Sequence, residues 1–152
     1  MSEANKKVVL DWFHAMKSRD TEAVTALTHP DFRYFLPGGF PVSGWHDFNG
    51  FTGQFDLLAD VMAGPLEVEY GDIVAEGERV FIEAQGDGPL KNGQRYQNVY
   101  ILAIRVRDGK VAEFKEFMDT LHAYQMLDHP KIRGPAKARE RHLSQVAFTL
   151  SS

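Results

Sequence analysis

The sequence predicts an α+β domain, in which a curved antiparallel sheet wraps around N-terminal helices. Three observations carry this expectation. Helical periodicity dominates residues 3–62, period-2 alternation dominates residues 66–118, and only short turns separate the runs in that second part. Consecutive strands joined by short turns pair antiparallel, and amphipathic helices that precede such a sheet bury their apolar stripes across its concave face. The product is a cone that encloses a pocket.

The elements follow in chain order. Val8, Val9, Trp12, Phe13 and Met16 share a helical face from about Glu3 to Ser18, with Asp11 and Lys17 on the wet side. Asp20 caps a shorter second helix that ends near His29-Pro30, and Asp20 and Glu22 suit its positive end. Phe32 to Leu36 reads as a short strand. Pro37 to Gly44 is a loop punctuated by Gly and Pro, with Tyr34 and Trp45 on its flanks. Phe48, Phe51, Phe55, Leu58, Ala59 and Met62 support a third helix over Asp47 to Met62, which Gly50 and Gly53 weaken. Strands fit Leu66 to Ala75, Arg79 to Gln85, Arg95 to Val106 and Lys110 to Met118, with turns at Glu76-Gly77, Lys91-Asn92-Gly93 and Asp108-Gly109. Asp119-Thr120 caps a last helical segment, Leu121 to Leu127. The stretch after Pro130 has no assigned structure, and its basic part, Lys131 to Arg141, reads as a solvated tail.

Bulk properties exclude several function classes. At 152 residues and 43% apolar, one closed core is the default. Formal net charge is −4 and no basic run is long enough to track a phosphate backbone, so nucleic acid is not expected as a partner. The absence of cysteine removes disulfides, thiolate metal sites and cysteine nucleophiles. The six histidines, at 14, 29, 46, 122, 129 and 142, show no metal-ligand spacing, and no cofactor is expected. No signal-peptide core or membrane-length apolar run occurs, so the expectation is a cytoplasmic protein without a membrane partner.

One residue breaks the apolar pattern. In the last strand Ala112, Phe114, Glu116 and Met118 alternate onto the core side, and Val111, Glu113, Lys115, Phe117 and Asp119 onto the other. An ionised carboxyl on a core face needs a partner, water, or a proton held at a raised pKa. On the preceding strand Tyr96, Asn98, Tyr100 and Leu102 share one face, so Asn98 and Tyr100 join Glu116 on one cavity wall as acid, amide and phenol. This set suits a general acid or base with orienting hydrogen-bond donors. Ligand contacts are expected from Trp12, Tyr34, Tyr96, Leu102, Phe114 and Met118, while His46 and His122 are candidates for the mouth. The opposite face carries Val99, Ile101 and Ala103. Such a row calls for cover, by a second copy in a homodimer through the sheet or by the C-terminal tail.

Arg19-Asp20-Thr-Glu-Ala-Val24, Pro30-Asp31-Phe32, Leu36-Pro37-Gly38, Ser43-Gly44, Asn98-Val-Tyr100, and Asp108-Gly-Lys-Val-Ala-Glu-Phe-Lys-Glu-Phe-Met-Asp-Thr120 together resemble the SnoaL-like, ketosteroid-isomerase-related branch of the nuclear transport factor 2-like superfamily. The resemblance runs from residue 5 to about 127, dividing the chain into a SnoaL-like domain of residues 1–127 and a C-terminal extension of residues 128–152. It implies a cone fold, dimerisation through the sheet, and a small apolar or polycyclic ligand in the cavity. The ketosteroid isomerase residues do not transfer: the base falls at Leu36, and the oxyanion pair at Trp12 and Leu102. Of the limonene-epoxide-hydrolase-like set, two positions fall at Ala84 and Gly86, and only the last acid is kept, as Glu116. SnoaL-type polyketide cyclases also place an acidic base on the last strand. The resemblance therefore implies an isomerase or cyclase acting by proton abstraction next to a carbonyl. Its alternatives are a non-catalytic small-ligand-binding or accessory protein, and a sheet-mediated protein-interaction module.

Overall fold

The computed structural model describes residues 2–145 and 148–150. Helix α1 (Ser2–Ser18) buries Val9, Trp12 and Ala15 along one stripe. Before α2 (Thr21–Leu27), the Asp20 carboxylate accepts the Ala23 N–H and satisfies a donor that the first turn leaves free. Strands β1 (Thr28–Leu36) and β2 (Gly44–His46) follow, then α3 (Phe48–Val61), capped in the same way by Asp47. Four strands run consecutively: β3 (Glu67–Glu76), β4 (Arg79–Pro89), β5 (Arg95–Arg107) and β6 (Lys110–Met118). Asp119 caps α4 (Thr120–Met126), and a short α5 (Pro130–Arg133) ends the regular structure.

One six-stranded sheet has the order β2-β1-β6-β5-β4-β3. From β3 to β6 it is the antiparallel meander that the turns require, but β1 lies parallel to β6. The sheet is therefore mixed, which corrects the purely antiparallel expectation. No hairpin links β1 to β6, so nothing local sets the direction in which β1 pairs with that open edge.

The β5–β6 turn carries Asp108 at φ 55° and Gly109 at φ 71°. Positive φ at both central residues is the type I′ geometry that matches strand twist. Just beyond it Arg105 pairs with Glu113 whereas Val106 pairs with Val111, which leaves Ala112 as an extra residue. This bulge reverses two expected facings. Val111 joins the core with no exposure, and Ala112 lines an outer cavity. Past the bulge the alternation holds, with Phe114 and Met118 packed inward.

Helix α1 crosses the inner face against β3, β4, β5 and β6, while α3 covers β1 and β2. Aromatic rings fill the space between. Trp12 stacks on Phe51 at 5.6 Å and meets Phe114 edge-on at 5.7 Å. No helix among the described residues is long and apolar enough to cross a membrane.

The segment after α5 is docked, which corrects the solvated-tail expectation. The Lys137 N–H donates to the Gly39 carbonyl at 2.9 Å, and Trp45 Nε1 donates to the Arg141 carbonyl at 2.8 Å. Lys115 Nζ donates to the His142 carbonyl, and the His142 ring lies 5.7 Å from Phe35 and 5.4 Å from Phe117. The outer faces of β1 and β6 present rings and buried charges that need this cover. The described part of the strap leaves Val99 and Ile101 uncovered, at 59% and 46% exposed.

Candidate functional site

Glu116 leaves β6 opposite Leu102 of β5. Its Oε2 accepts a hydrogen bond from the Tyr34 hydroxyl at 3.1 Å. Tyr34 comes from β1, where parallel pairing sets it beside Phe114. Burial raises the Glu116 carboxyl to about 7, with the Tyr34 hydrogen bond pulling the other way. No lysine, arginine or histidine among the described residues contributes to that balance.

Four phenols surround this carboxyl. Tyr34, Tyr70, Tyr96 and Tyr100 are all pushed up by burial first, and the Glu116 charge adds to each. They remain neutral hydrogen-bond donors wherever Glu116 titrates. Glu116, Tyr100 and Met118 keep partial exposure, and Tyr70 is 45% exposed. A carboxyl that gains and loses a proton near neutral pH, beside protonated phenols, is equipped for general acid–base chemistry on an uncharged molecule.

The other expected site residues divide into two sets. Tyr100 pairs with Met118 across the strands, next to Glu116. Asn98 lies deeper and has all its capacity occupied: Nδ2 donates to the Tyr96 hydroxyl at 2.8 Å and the Asp119 carbonyl at 3.1 Å. Its Oδ1 accepts from the Val99 and Asp119 N–H groups. It pins Tyr96 and the start of α4, with no donor left over for a ligand. Trp12 is wholly buried, with its Nε1 committed to Thr28 Oγ1 at 2.9 Å, so it backs the site from behind Phe114. Leu102, Phe114 and Tyr96 are buried walls.

Tyr34 lies on the strand expected over Phe32 to Leu36, and it reaches Glu116 because β1 inserts next to β6. His46 bonds the Val42 carbonyl at 2.6 Å, and His122 stacks on Tyr96 at 5.3 Å while accepting the Gln97 N–H. Sequence reasoning passed over Tyr70, which stacks on Phe13 at 5.5 Å. Its place on an alternating strand beside Val68 was the available signal.

A trough of about 710 Å³ runs on the opposite side of the sheet, lined mainly by outward positions such as Glu69, Glu83, Gln85, Val99, Ile101 and Phe117. It belongs to the outer face and does not include Glu116. Among the described residues no group of three or more His, Asp or Glu side chains could hold a metal ion.

Residues 9–114 match the family model of the SnoaL-like domain. Glu116 lies just past the matched segment. The fold is similar to that of an NTF2-like protein from Burkholderia xenovorans LB400, with 27% identity over 84% of this chain and 98% of that chain and a TM-score of 0.70. It is also similar to TerC, co-crystallised with polyporic acid, at 18% identity over 83% of this chain and 99% of that chain, TM-score 0.70. A third likeness is to IdmH, a candidate polyketide cyclase from Streptomyces antibioticus, at 20% identity over 81% and 97% of the two chains, TM-score 0.67. At the last two identities the likeness is one of fold. The curated proteins yield no match. With the matched segment running from α1 into β6 and the strand order of an NTF2-like fold around it, the chain belongs to the SnoaL-like domain family.

Proposed function

We propose that the protein binds a small, largely apolar carbonyl compound on the inner face of the sheet and moves a proton beside its carbonyl, with Glu116 as the acid/base. The observation that carries this reading is a carboxyl on the inner face of the sheet with four phenols around it, hydrogen-bonded to Tyr34 alone and raised to about 7 by burial. Tyr34 orients Glu116. Tyr100, partly exposed and neutral, is the donor we assign to the negative charge developing on the carbonyl oxygen, its hydroxyl turning to it from Tyr96. Asn98 acts through Tyr96 as a positioning residue. The reaction class is isomerisation or aldol-type cyclisation. A polyketide-cyclase candidate and a protein crystallised with polyporic acid, both on this fold, support that substrate range.

The test is α-proton exchange in D₂O, followed by NMR, for a panel of aromatic and polycyclic ketones. The parent chain is expected to accelerate exchange of at least one ketone, with a rate that rises as a group of pKa about 7 deprotonates. Glu116→Gln should reduce that rate on the order of 10²–10⁴-fold while retaining affinity. Binding by both chains with exchange by neither would instead establish a ligand-binding protein without turnover.

The outer row supports a second copy as partner. Val74 and Val99 are each 59% exposed, Ile101 46% and Phe81 38%, all beyond the reach of the described strap. Apolar side chains grouped on one sheet face favour face-to-face pairing of two sheets. Sedimentation of the parent chain against Ile101→Glu tests it: a dimer that becomes a monomer supports the sheet interface, and two identical monomers oppose it.

A further inference from the structure

The outer face also carries an unbalanced ladder of charge. Cross-strand register places Arg79 of β4 opposite Arg105 of β5, Arg105 opposite Glu113 of β6, and Glu113 opposite Arg33 of β1. Like charges directly opposed on neighbouring strands destabilise a sheet unless an anion lies between them. Two carboxylates meet part of that need. Glu78 reaches Arg105 at 2.9 Å and Arg107 at 3.7 Å, and Glu113 reaches Arg33 at 3.2 Å and Lys115 at 3.7 Å. Arg79 stacks over Phe81 at 5.2 Å, and its buried Nε has no hydrogen-bond partner among the described residues. Burial and then Arg105 lower Arg79; burial lowers Lys115, and Arg79 and Arg105 add to that against the pull of Glu113.

Beside this ladder, under the strap, is a cavity of about 280 Å³ lined by Arg33, Arg105, Arg107 and Ser144, with Asp31 and Glu113 also in its wall. Three guanidinium groups from β1 and β5 thus converge on one space in a chain of formal net charge −4. Arg105 is only 5% exposed, and Arg33 is braced over the Trp45 ring at 4.0 Å, so both forks are held in place. We propose that this cavity is a binding site for a small oxyanion, a phosphate or a carboxylate, held by Arg33, Arg105 and Arg107. Planar guanidinium forks match the paired oxygens of both classes, and bound negative charge relieves the Arg79–Arg105 opposition. The site lies across the sheet from Glu116 and does not depend on the chemistry proposed there.

The experiment is a titration of the full chain with inorganic phosphate and, separately, with succinate, each at constant ionic strength against chloride. Arginine Nε–H resonances report occupancy. The expected result is a saturable shift of the Arg79 and Arg105 signals with at least one oxyanion, and which of the two acts identifies the class. Arg107→Gln, at an exposed position, should weaken binding about tenfold. No shift beyond the chloride control with either anion would overturn the proposal, as would a response that Arg107→Gln and Arg33→Gln both retain at full affinity.

Discussion

Strand β6 contains the dipeptide Glu-Phe twice, at Glu113-Phe114 and at Glu116-Phe117, and the two carboxyls meet opposite fates. An odd step along a strand puts them on opposite faces. Glu113 faces out, under the strap, where Arg33 and Lys115 approach and Ser144 Oγ donates to both of its oxygens at 3.0 and 2.8 Å. Burial alone would raise its carboxyl, but Ser144, Lys115, Arg33 and Arg105 outweigh burial and hold it below the ordinary value. Glu116 faces in, with one phenol and no cation among the described residues, and burial wins. Burial by itself does not make a carboxyl reactive. The number and sign of its partners decide whether it is a structural anchor or a proton carrier.

The largest expected effect comes from breaking the anchored member. Glu113→Gln leaves Lys115, 3% exposed, and the arginines around it without their shared carboxylate, a loss worth about 3–5 kcal/mol at neutral pH. A lowered folded-state pKa contributes stability that is present above the unfolded value of about 4.3 and is lost as pH falls through the folded value. The gap between parent and variant in urea unfolding should therefore be full at pH 7 and shrink below about pH 4. A gap that ignores pH would show that packing, and not charge, is what Glu113 supplies.

Glu116 should show the reverse sign. Its carboxyl moves from about 4.3 unfolded to about 7 folded, so stability is greatest below the unfolded value and declines as pH rises toward 7. At about 1.4 kcal/mol per unit the ionised group costs up to about 4 kcal/mol, an upper bound because its oxygens keep some solvent. Glu116→Gln is expected to be more stable than the parent at pH 8, by as much as that, and equal to it near pH 4. Destabilisation at pH 8 would reveal a partner for the carboxylate and move Glu116 into the structural class with Glu113.

The two carboxyls were not equally legible in the sequence. Alternation marked Glu116 as an acid on a core face because Phe114 and Met118 flank it at period 2. Caps and turns were also local, which is why Asp20, Asp47, Asp119 and Asp108-Gly109 mark element ends where the structure has them. Partners supplied from a distance were hidden. Tyr34 lies 82 positions from Glu116, on a strand whose parallel pairing no hairpin signals. The bulge at Ala112 arises from cross-strand register, so counting along one strand misplaced Ala112 and Val111. The strap has no periodicity to read, because it is held by single contacts to Gly39, Trp45 and Lys115 and not by a repeating face.

Tyr34→Phe tests the inner member more finely. It removes the donor that favours the ionised form of Glu116, so the carboxyl should titrate above its parent value of about 7. The stability loss, about 1–2 kcal/mol, should be larger above pH 7, where the bond is to a charged acceptor, than below pH 5. Carboxyl carbon shifts across pH measure the first effect and urea unfolding the second. A downward shift would mean that water replaces the phenol and solvates the carboxylate better.

Ser144→Ala is the smallest change and the sharpest separation of the two faces. Ser144 is exposed, so losing its contact to Glu113 should cost only about 0.5–1 kcal/mol. Glu113 should rise from its lowered position yet remain below the ordinary value, since Lys115, Arg33 and Arg105 stay in place. Glu116 should not respond, because no outer-face group enters its balance. Following both carboxyl carbons in one pH titration of the variant reads the two outcomes together. A Glu116 midpoint that moves with Ser144→Ala would show the strap coupled through β6 to the inner pocket, and the two carboxyls would then form one system.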